Sequence, residues 1–283
     1  MNKTFTRLQL LTLNSILLAL IFALSSFTNP QDSSKNSDTL AEGLFRFKTV
    51  VIDAGHGGKD PGTHGLHSNE KTVALSIAKK LRAAIEDRMP GIKTVMTRTD
   101  DTFIPLDRRS AIANEHNGNL FISIHCNSSP EGTGHSDHKQ KGTMMLVYGF
   151  HRVKEQLEAI RENASIMIEK DYKTKYKSYD EDDPVNRILL NAYMQKYRKQ
   201  SIFFGDLLND EFKRQNRQTI GVKEQGILVL AHSAMPAVMI ETGFINNPSD
   251  EDYLTSDDGQ NEIVDVIVNA LKDYKRKTTA VQQ

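Results

Sequence analysis

The chain has 283 residues, 38% of them hydrophobic and 25% charged, the balance of a soluble globular protein. Lysine plus arginine and aspartate plus glutamate each number 36, so the formal net charge is zero and the basic footprint of a nucleic-acid binder is absent. A single cysteine, Cys126, excludes an internal disulfide framework, and a domain of this length can bury an adequate core without one.

The first thirty residues, "MNKTFTRLQLLTLNSILLALIFALSSFTNP", place Lys3 and Arg7 ahead of an apolar run that ends in small residues. This is the pattern of a secretory signal over 1–25, with Ala23 and Ser25 fitting the small-x-small cleavage rule. The densest apolar part is short of the ~20 residues of a membrane span, so a membrane association is expected only if the signal stays uncleaved. The expected location is therefore the periplasm or cell envelope. Residues 26–44 are polar and read as a linker.

Patterned sequence begins near Phe45 and is expected to form one domain over 45–277, with a short tail at 278–283. "FKTVVIDA" reads as a first strand, and "EKTVALSIAKKLRAAIEDRM" puts Ala74, Ile77, Ala78, Leu81 and Ile85 at helical spacing. Pro90 and Gly91 end that helix. "IKTVMTR" is a second strand and "DRRSAIANEHN" a helix. "NLFISIHCN" is a third strand, with Leu120, Ile122 and Ile124 on one face and Phe121, Ser123 and His125 on the other. "TMMLVYG" and "AVMIETGF" are the fourth and fifth, and a helix from about Asn261 to Lys275 closes the domain. Alternating strands and helices predict an α/β fold: an open, mostly parallel mixed sheet flanked by helices. Residues 151–215 break the rhythm. They are charged and rich in helix formers, and read as a helical insertion between two strands.

Four residues stand out for chemistry. His56 follows the first strand among Gly55, Gly57 and Gly58; Glu70 opens the first helix; His125 ends the third strand; Glu241 ends the last. Three of them lie at C-terminal strand ends, the edge where open α/β sheets bind ligands. Two histidines and a carboxylate form a frequent catalytic zinc set that leaves a position for water, and a second carboxylate can then serve as general base. The residues are far apart in sequence, so spacing alone does not decide the matter. A solvated loop histidine, a hydrogen-bonded core histidine and a helix-start glutamate remain ordinary alternatives for His56, His125 and Glu70. Glu241 after "AVMI" is harder to explain without a partner, because a charge on a buried strand is costly. Cys126 alternates to the opposite face and reads as a small core residue.

Five blocks in order, "VVIDAGHGGKDPGTHG", "NEKTVALSIAKKL", "VMTRTDDTFIPLDRRSAIAN", "LFISIHCNSS" and "GILVLAHSAMPAVMIETGFINNPSDEDYL", resemble the zinc-dependent N-acetylmuramoyl-L-alanine amidases of bacterial cell walls. The resemblance covers about 46–275 apart from the insertion. It implies that His56, Glu70 and His125 hold one Zn²⁺ per catalytic domain and that Glu241 is the catalytic glutamate. It also implies the reaction, hydrolysis of the amide between N-acetylmuramic acid and L-alanine in peptidoglycan, with a role in daughter-cell separation. Cys126 and Ser128 stand where the family usually has alanines. Arg98, Arg109 and Asn246 are candidate substrate contacts, with Asn247 beside them; for the arginines, charge pairing within the fold is an equal alternative.

Some relatives carry an extra helical segment at the place of the insertion, which covers the zinc site until a partner protein displaces it. The resemblance therefore implies autoinhibition here and a protein activator. Glu162, Glu169 and Glu181 are among the carboxylates that could occupy zinc's open position, and a solvated helix pair that merely decorates the fold is the alternative. Two other functions remain to be separated: a zinc peptidase cutting within stem peptides, and a non-catalytic wall-binding division protein.

Overall fold

In a computed structural model, residues 47–129, 139–149, 156–176 and 184–280 are described, all of them within one compact unit spanning 46–283. The signal and linker expectations, and Glu181, fall outside these residues. No helix among the described residues is long and apolar enough to cross a membrane.

The described strands are β1 (Thr49–Ala54), β2 (Lys93–Met96), β3 (Leu120–Asn127), β4 (Thr143–Tyr148), β5 (Thr219–Gln225) and β6 (Ala237–Phe244). They form a six-stranded sheet in the order β2-β1-β3-β6-β4-β5. Pairing is parallel except between β4 and β6, so the sheet is open, mixed and mostly parallel. The helices are α1 (Glu70–Arg88), α2 (Leu106–Glu115), α3 (Leu157–Asn163), α4 (Tyr172–Lys175), α5 (Pro184–Arg214), α6 (Leu228–Ala231), α7 (Pro248–Thr255) and α8 (Asp257–Ala280), with a 3₁₀ turn at Ala164–Ile168. The last helix runs beyond Lys275, so 278–280 belong to it and not to a tail.

β1, β3 and β6 are buried along their whole length, as central strands covered on both faces must be. Side-chain alternation then sorts two cores. Ile52, Ile122, Ile124, Val238 and Ile240 face α1, α5 and α8. Val51, Phe121, Met144, Leu146 and Met239 face the thinner layer that includes Ile227, Val229 and Leu230. Asp53, His125 and Glu241 share the parity of this second set, so the fold brings them to one face at adjoining strand ends.

Two differences from expectation have physical causes. β5 was not anticipated, because "TIGVKEQ" holds a glycine and two charges and sits at the sheet edge, half covered. The second half of the supposed insertion is core. α5 buries Phe204, Leu207, Leu208 and Phe212 against β4, β5 and α8, while its first turns expose Val185 and Ile188. The mixture of wet and dry ends along one long helix hides its apolar stripe. Within 151–215, the described part that lies at the strand ends is 156–176.

Candidate metal centre

β1 delivers the chain into a turn in which His56 takes φ 57°, Gly57 φ 122° and Gly58 φ 57°. A non-glycine residue in the left-handed region is uncommon and costs energy that the surroundings must supply. Here two buried arginines hold the turn. Arg109 donates to Ala54 O at 2.7 Å and His56 O at 2.6 Å. Arg98 donates to Ala54 O at 2.9 Å and Gly55 O at 2.7 Å. Asp53 supplies the countercharge, 2.9 Å from Arg109, and accepts hydroxyls from Thr97 and Ser123 at 2.6 Å. Both guanidiniums are buried and spend their donors on backbone carbonyls, and Arg109 also pairs with Asp53.

Glu70 is the first residue of α1, whose N-cap Asn69 accepts from Thr72 N. One carboxylate oxygen accepts from Cys126 N at 2.9 Å and the other from Thr63 N at 2.9 Å. The same two oxygens lie 3.0 Å from His125 Nδ1 and 3.1 Å from His56 Nε2. Two glycines permit this crowding. A Cβ on Gly55 would lie 2.5 Å from the His125 ring, and one on Gly62 2.6 Å from His56 Cδ2 and 2.7 Å from Glu70 Oε2. Behind His56, Asp60 Oδ2 lies 2.9 Å from Nδ1 and orients the ring.

A fourth group joins from α3. Glu162 Oε2 is 2.8 Å from His125 Nδ1 and 3.4 Å from His56 Nε2. Ligand atoms of His56, Glu70, His125 and Glu162 all lie within 4.8 Å of one another, and all four residues are buried. His56 Nε2 and Glu162 Oε2 are buried, and although charged neighbours lie this close, neither atom is in hydrogen-bond geometry with them. Such orphaned atoms are costly unless something else completes them. Two imidazoles and two carboxylates converging on one point fit a divalent cation.

The electrostatics express the same convergence. Burial disfavours imidazolium, but the Glu70 charge with Asp60 and Glu162 beside it raises His56 well above its ordinary range. His125 is likewise opposed by burial and raised to about 9 by Glu162 and Glu70. Glu70 and Glu162 are buried, which would raise them, yet the two histidines, joined by Arg161 for Glu162, hold both below the usual carboxylate range. Glu241 differs: burial pushes it up to about 8 despite the charge of Arg161.

Glu241 stands opposite His125 in the β3–β6 register. Its Oε1 accepts from Arg161 Nη2 at 2.9 Å, and its Oε2 is buried without a partner. Arg161 and Glu162, neighbours on α3, thus engage Glu241 and the histidines respectively. Glu169 lies elsewhere, accepting from Tyr176 OH and Lys175 Nζ at 2.7 Å. Asn246 clamps Ser129 through N–H and C=O at 3.0 Å, and Asn247 caps α7. Cys126 is buried in the core, its thiol pushed up by burial. Sequence reasoning missed Asp60 and Arg161. Their signal was adjacency alone: an acid four residues after His56, and a base next to Glu162.

Residues 50–273 match the family described as N-acetylmuramoyl-L-alanine amidase. The chain belongs to this family. An N-acetylmuramoyl-L-alanine amidase hydrolyses the amide between N-acetylmuramic acid and L-alanine, the linkage of peptidoglycan. Among similar proteins, amidase AmiA of Salmonella typhimurium is 32% identical over 232 residues, covering 80% of this chain and 76% of the relative. AmiA of Escherichia coli is 30% identical over the same coverage. Solved amidase structures share the fold: one from Clostridium difficile 630 has a TM-score of 0.58 at 26% identity, covering 80% of this chain and 96% of that one. The catalytic domain of CwlV from Paenibacillus polymyxa has 0.53 at 26%, covering 80% and 97%.

Proposed function

We propose that this amidase is zinc-dependent, that His56, Glu70 and His125 are its permanent ligands, and that residues 156–176 hold it closed. The observation that carries the reading is the double engagement by adjacent residues of α3: Glu162 among the ligand atoms and Arg161 on Glu241. Zinc when bound lowers the pKa of a water and polarises the scissile carbonyl. Glu241 supplies the proton traffic. Its Oε2 takes a proton from the attacking water and returns it to the departing amine of L-alanine, a task open to a buried carboxylate oxygen with no partner of its own beside the ligand cluster. Glu162 fills the ligand place that water and substrate need, and Arg161 ties up the base. Opening is the work of a protein activator that draws α3 away. The signal at 1–25 carries the chain across the inner membrane to its substrate in the cell envelope, where the cut serves daughter-cell separation.

Zinc analysis with muropeptide mapping tests this on wild type, Glu241→Ala and Glu162→Ala. The expected result is near-stoichiometric zinc in all three, no cleavage by Glu241→Ala, and faster release of peptides with a free L-alanine N-terminus by Glu162→Ala. Cuts between amino acids would assign a stem-peptide peptidase instead. An unchanged rate in Glu162→Ala with zinc retained would remove the autoinhibition.

A further inference from the structure

The guanidinium of Arg161 collects acceptors from the ends of two neighbouring strands. Besides Glu241, it donates through Nη1 to Asn127 Oδ1 at 2.7 Å and to Ser128 O at 3.2 Å. Drawing α3 away leaves these acceptors without that donor, directly beside the general base.

Asn127 is the last residue of β3, two after His125. The β3–β6 register shifts between His125 and Asn127, an irregularity of the kind that re-aims a side chain at a strand end. The orientation of its amide follows from its neighbours. Ser128 N donates to Oδ1 at 2.7 Å and Arg161 donates to the same atom, so both demand an oxygen there. Nδ2 is then the other arm of the amide. It is buried, in a residue 1% exposed, and has no hydrogen-bond partner. An amide with one donor unmet and one acceptor held only by a displaceable arginine and its own neighbour is an incomplete pair.

We propose that Asn127 is a substrate-positioning residue that pairs with the second residue of the stem peptide. Oδ1 accepts the N–H of that residue and Nδ2 donates to its C=O, the exchange by which a residue in an extended strand bonds its opposite number. The proposal rests on the reading of Arg161 and Glu162 as a plug over the amidase site, and it makes Arg161 the occupant of that place in the closed form. The position follows from Glu241. Its partner is the leaving nitrogen of L-alanine, and Nη1 and Nη2 of one guanidinium now bridge Glu241 and Asn127. The next N–H along the stem belongs to the second residue, one unit of about 3.8 Å further on. Asn127 would thereby tell a peptide-bearing muramic acid from one carrying alanine alone.

The test uses the full chain opened by Arg161→Ala with Glu162→Ala, with and without Asn127→Asp or Asn127→Ala. Asn127→Asp keeps an acceptor for Ser128 N–H but also adds a charge near Glu241, so its role is to guard against misfolding, and the uncharged Asn127→Ala carries the comparison of substrates. Two substrates are compared: N-acetylmuramoyl-L-alanyl-D-isoglutamine, and N-acetylmuramoyl-L-alanine methyl ester, which ends before the second residue. Affinity for the free product L-alanyl-D-isoglutamine is measured by calorimetry. Both Asn127 substitutions should lower kcat/KM on the longer substrate and weaken the product peptide by about tenfold or more, the range for losing a partner of a buried polar group. With Asn127→Ala the methyl ester should be affected less than about threefold. An equal loss on both substrates, or an unchanged affinity for the free peptide, overturns the proposal. If the opened chain is no faster than wild type, the plug reading fails on its own, and the peptide affinity still decides the role of Asn127.

Discussion

His56 is oriented from behind as well as in front, and its usefulness depends on both. Asp60 holds Nδ1 at 2.9 Å and so points Nε2 toward Glu70 and Glu162. The contact matters more here because the backbone at His56 is in the left-handed region and the turn relies on fixed supports. Replacing Asp60 with Asn should therefore weaken zinc binding by about 10–100-fold, the usual effect of losing a partner that orients a metal ligand. Competition with a chromogenic chelator measures it, and an affinity within about twofold of wild type would refute the role. At this scale the sequence was uneven. His56, Glu70, His125 and Glu241 were legible because each sits in a block whose wording is shared with the family. Asp60 and Asn127 lie inside those same blocks, yet the roles proposed for them depend on which atom faces which. Arg161 lies outside any block, and only the packing of α3 reveals it.

The covering segment is an element fastened at two ends. Near its start, Ala159 N donates to Gln225 Oε1 at 2.8 Å, and Asn163 bonds Gly226 O and Leu228 N at 2.8 and 2.9 Å. At its far end, Lys175 lies 2.7 Å from both Asp107 and Glu169, and Tyr176 OH donates to Glu169 at 2.7 Å and to Asp107 at 3.2 Å. Asp107 belongs to α2, so this cluster is a latch between the segment and the body of the domain. Its ion pairs are partly exposed and individually weak. Loosening it should open the site without touching the chemistry. Asp107→Asn combined with Tyr176→Phe is expected to raise basal hydrolysis of purified sacculi several-fold, less than Glu162→Ala does. Dye release from labelled sacculi checks this, and a basal rate equal to wild type, with Glu162→Ala active, would locate any restraint wholly at Glu162. The sequence marked 151–215 as one charged, helical stretch between two strands. Charge and length alone could not separate 156–176, which covers the site, from α5, which fills the core with Phe204, Leu208 and Phe212. That distinction depends on what the apolar face meets.

For the molecule as a whole, the network around Asp53 joins strand, helix and active-site turn into one unit. Asp53 on β1 meets Arg109 from α2, Thr97 after β2 and Ser123 on β3, and Arg109 reaches on to the carbonyl of His56. The α/β alternation was readable from strand and helix periods; this cross-connection was not, because a buried aspartate on an apolar strand looks like an error until its partners are known. Burial raises the Asp53 carboxyl, but Arg109 with the Ser123 and Thr97 hydroxyls more than offsets it, and the group is held below its ordinary value. The sign of the pH effect follows. A depressed folded-state pKa contributes stability that is fully present above the unfolded carboxylate value of about 3.9 and is lost as pH falls through the lower folded value. Asp53→Asn removes one partner of a buried pair and leaves Arg109 uncompensated, so it should cost about 3–5 kcal/mol at neutral pH. In metal-free protein, the gap between wild type and variant should then narrow as pH is lowered below about 4, because wild type loses by protonation what the variant has already lost. Urea unfolding at pH 7, 5 and 3 measures the gap. A gap that stays constant across that range would mean that Asp53 acts through shape and hydrogen bonding alone, and that the charge of Arg109 is balanced elsewhere.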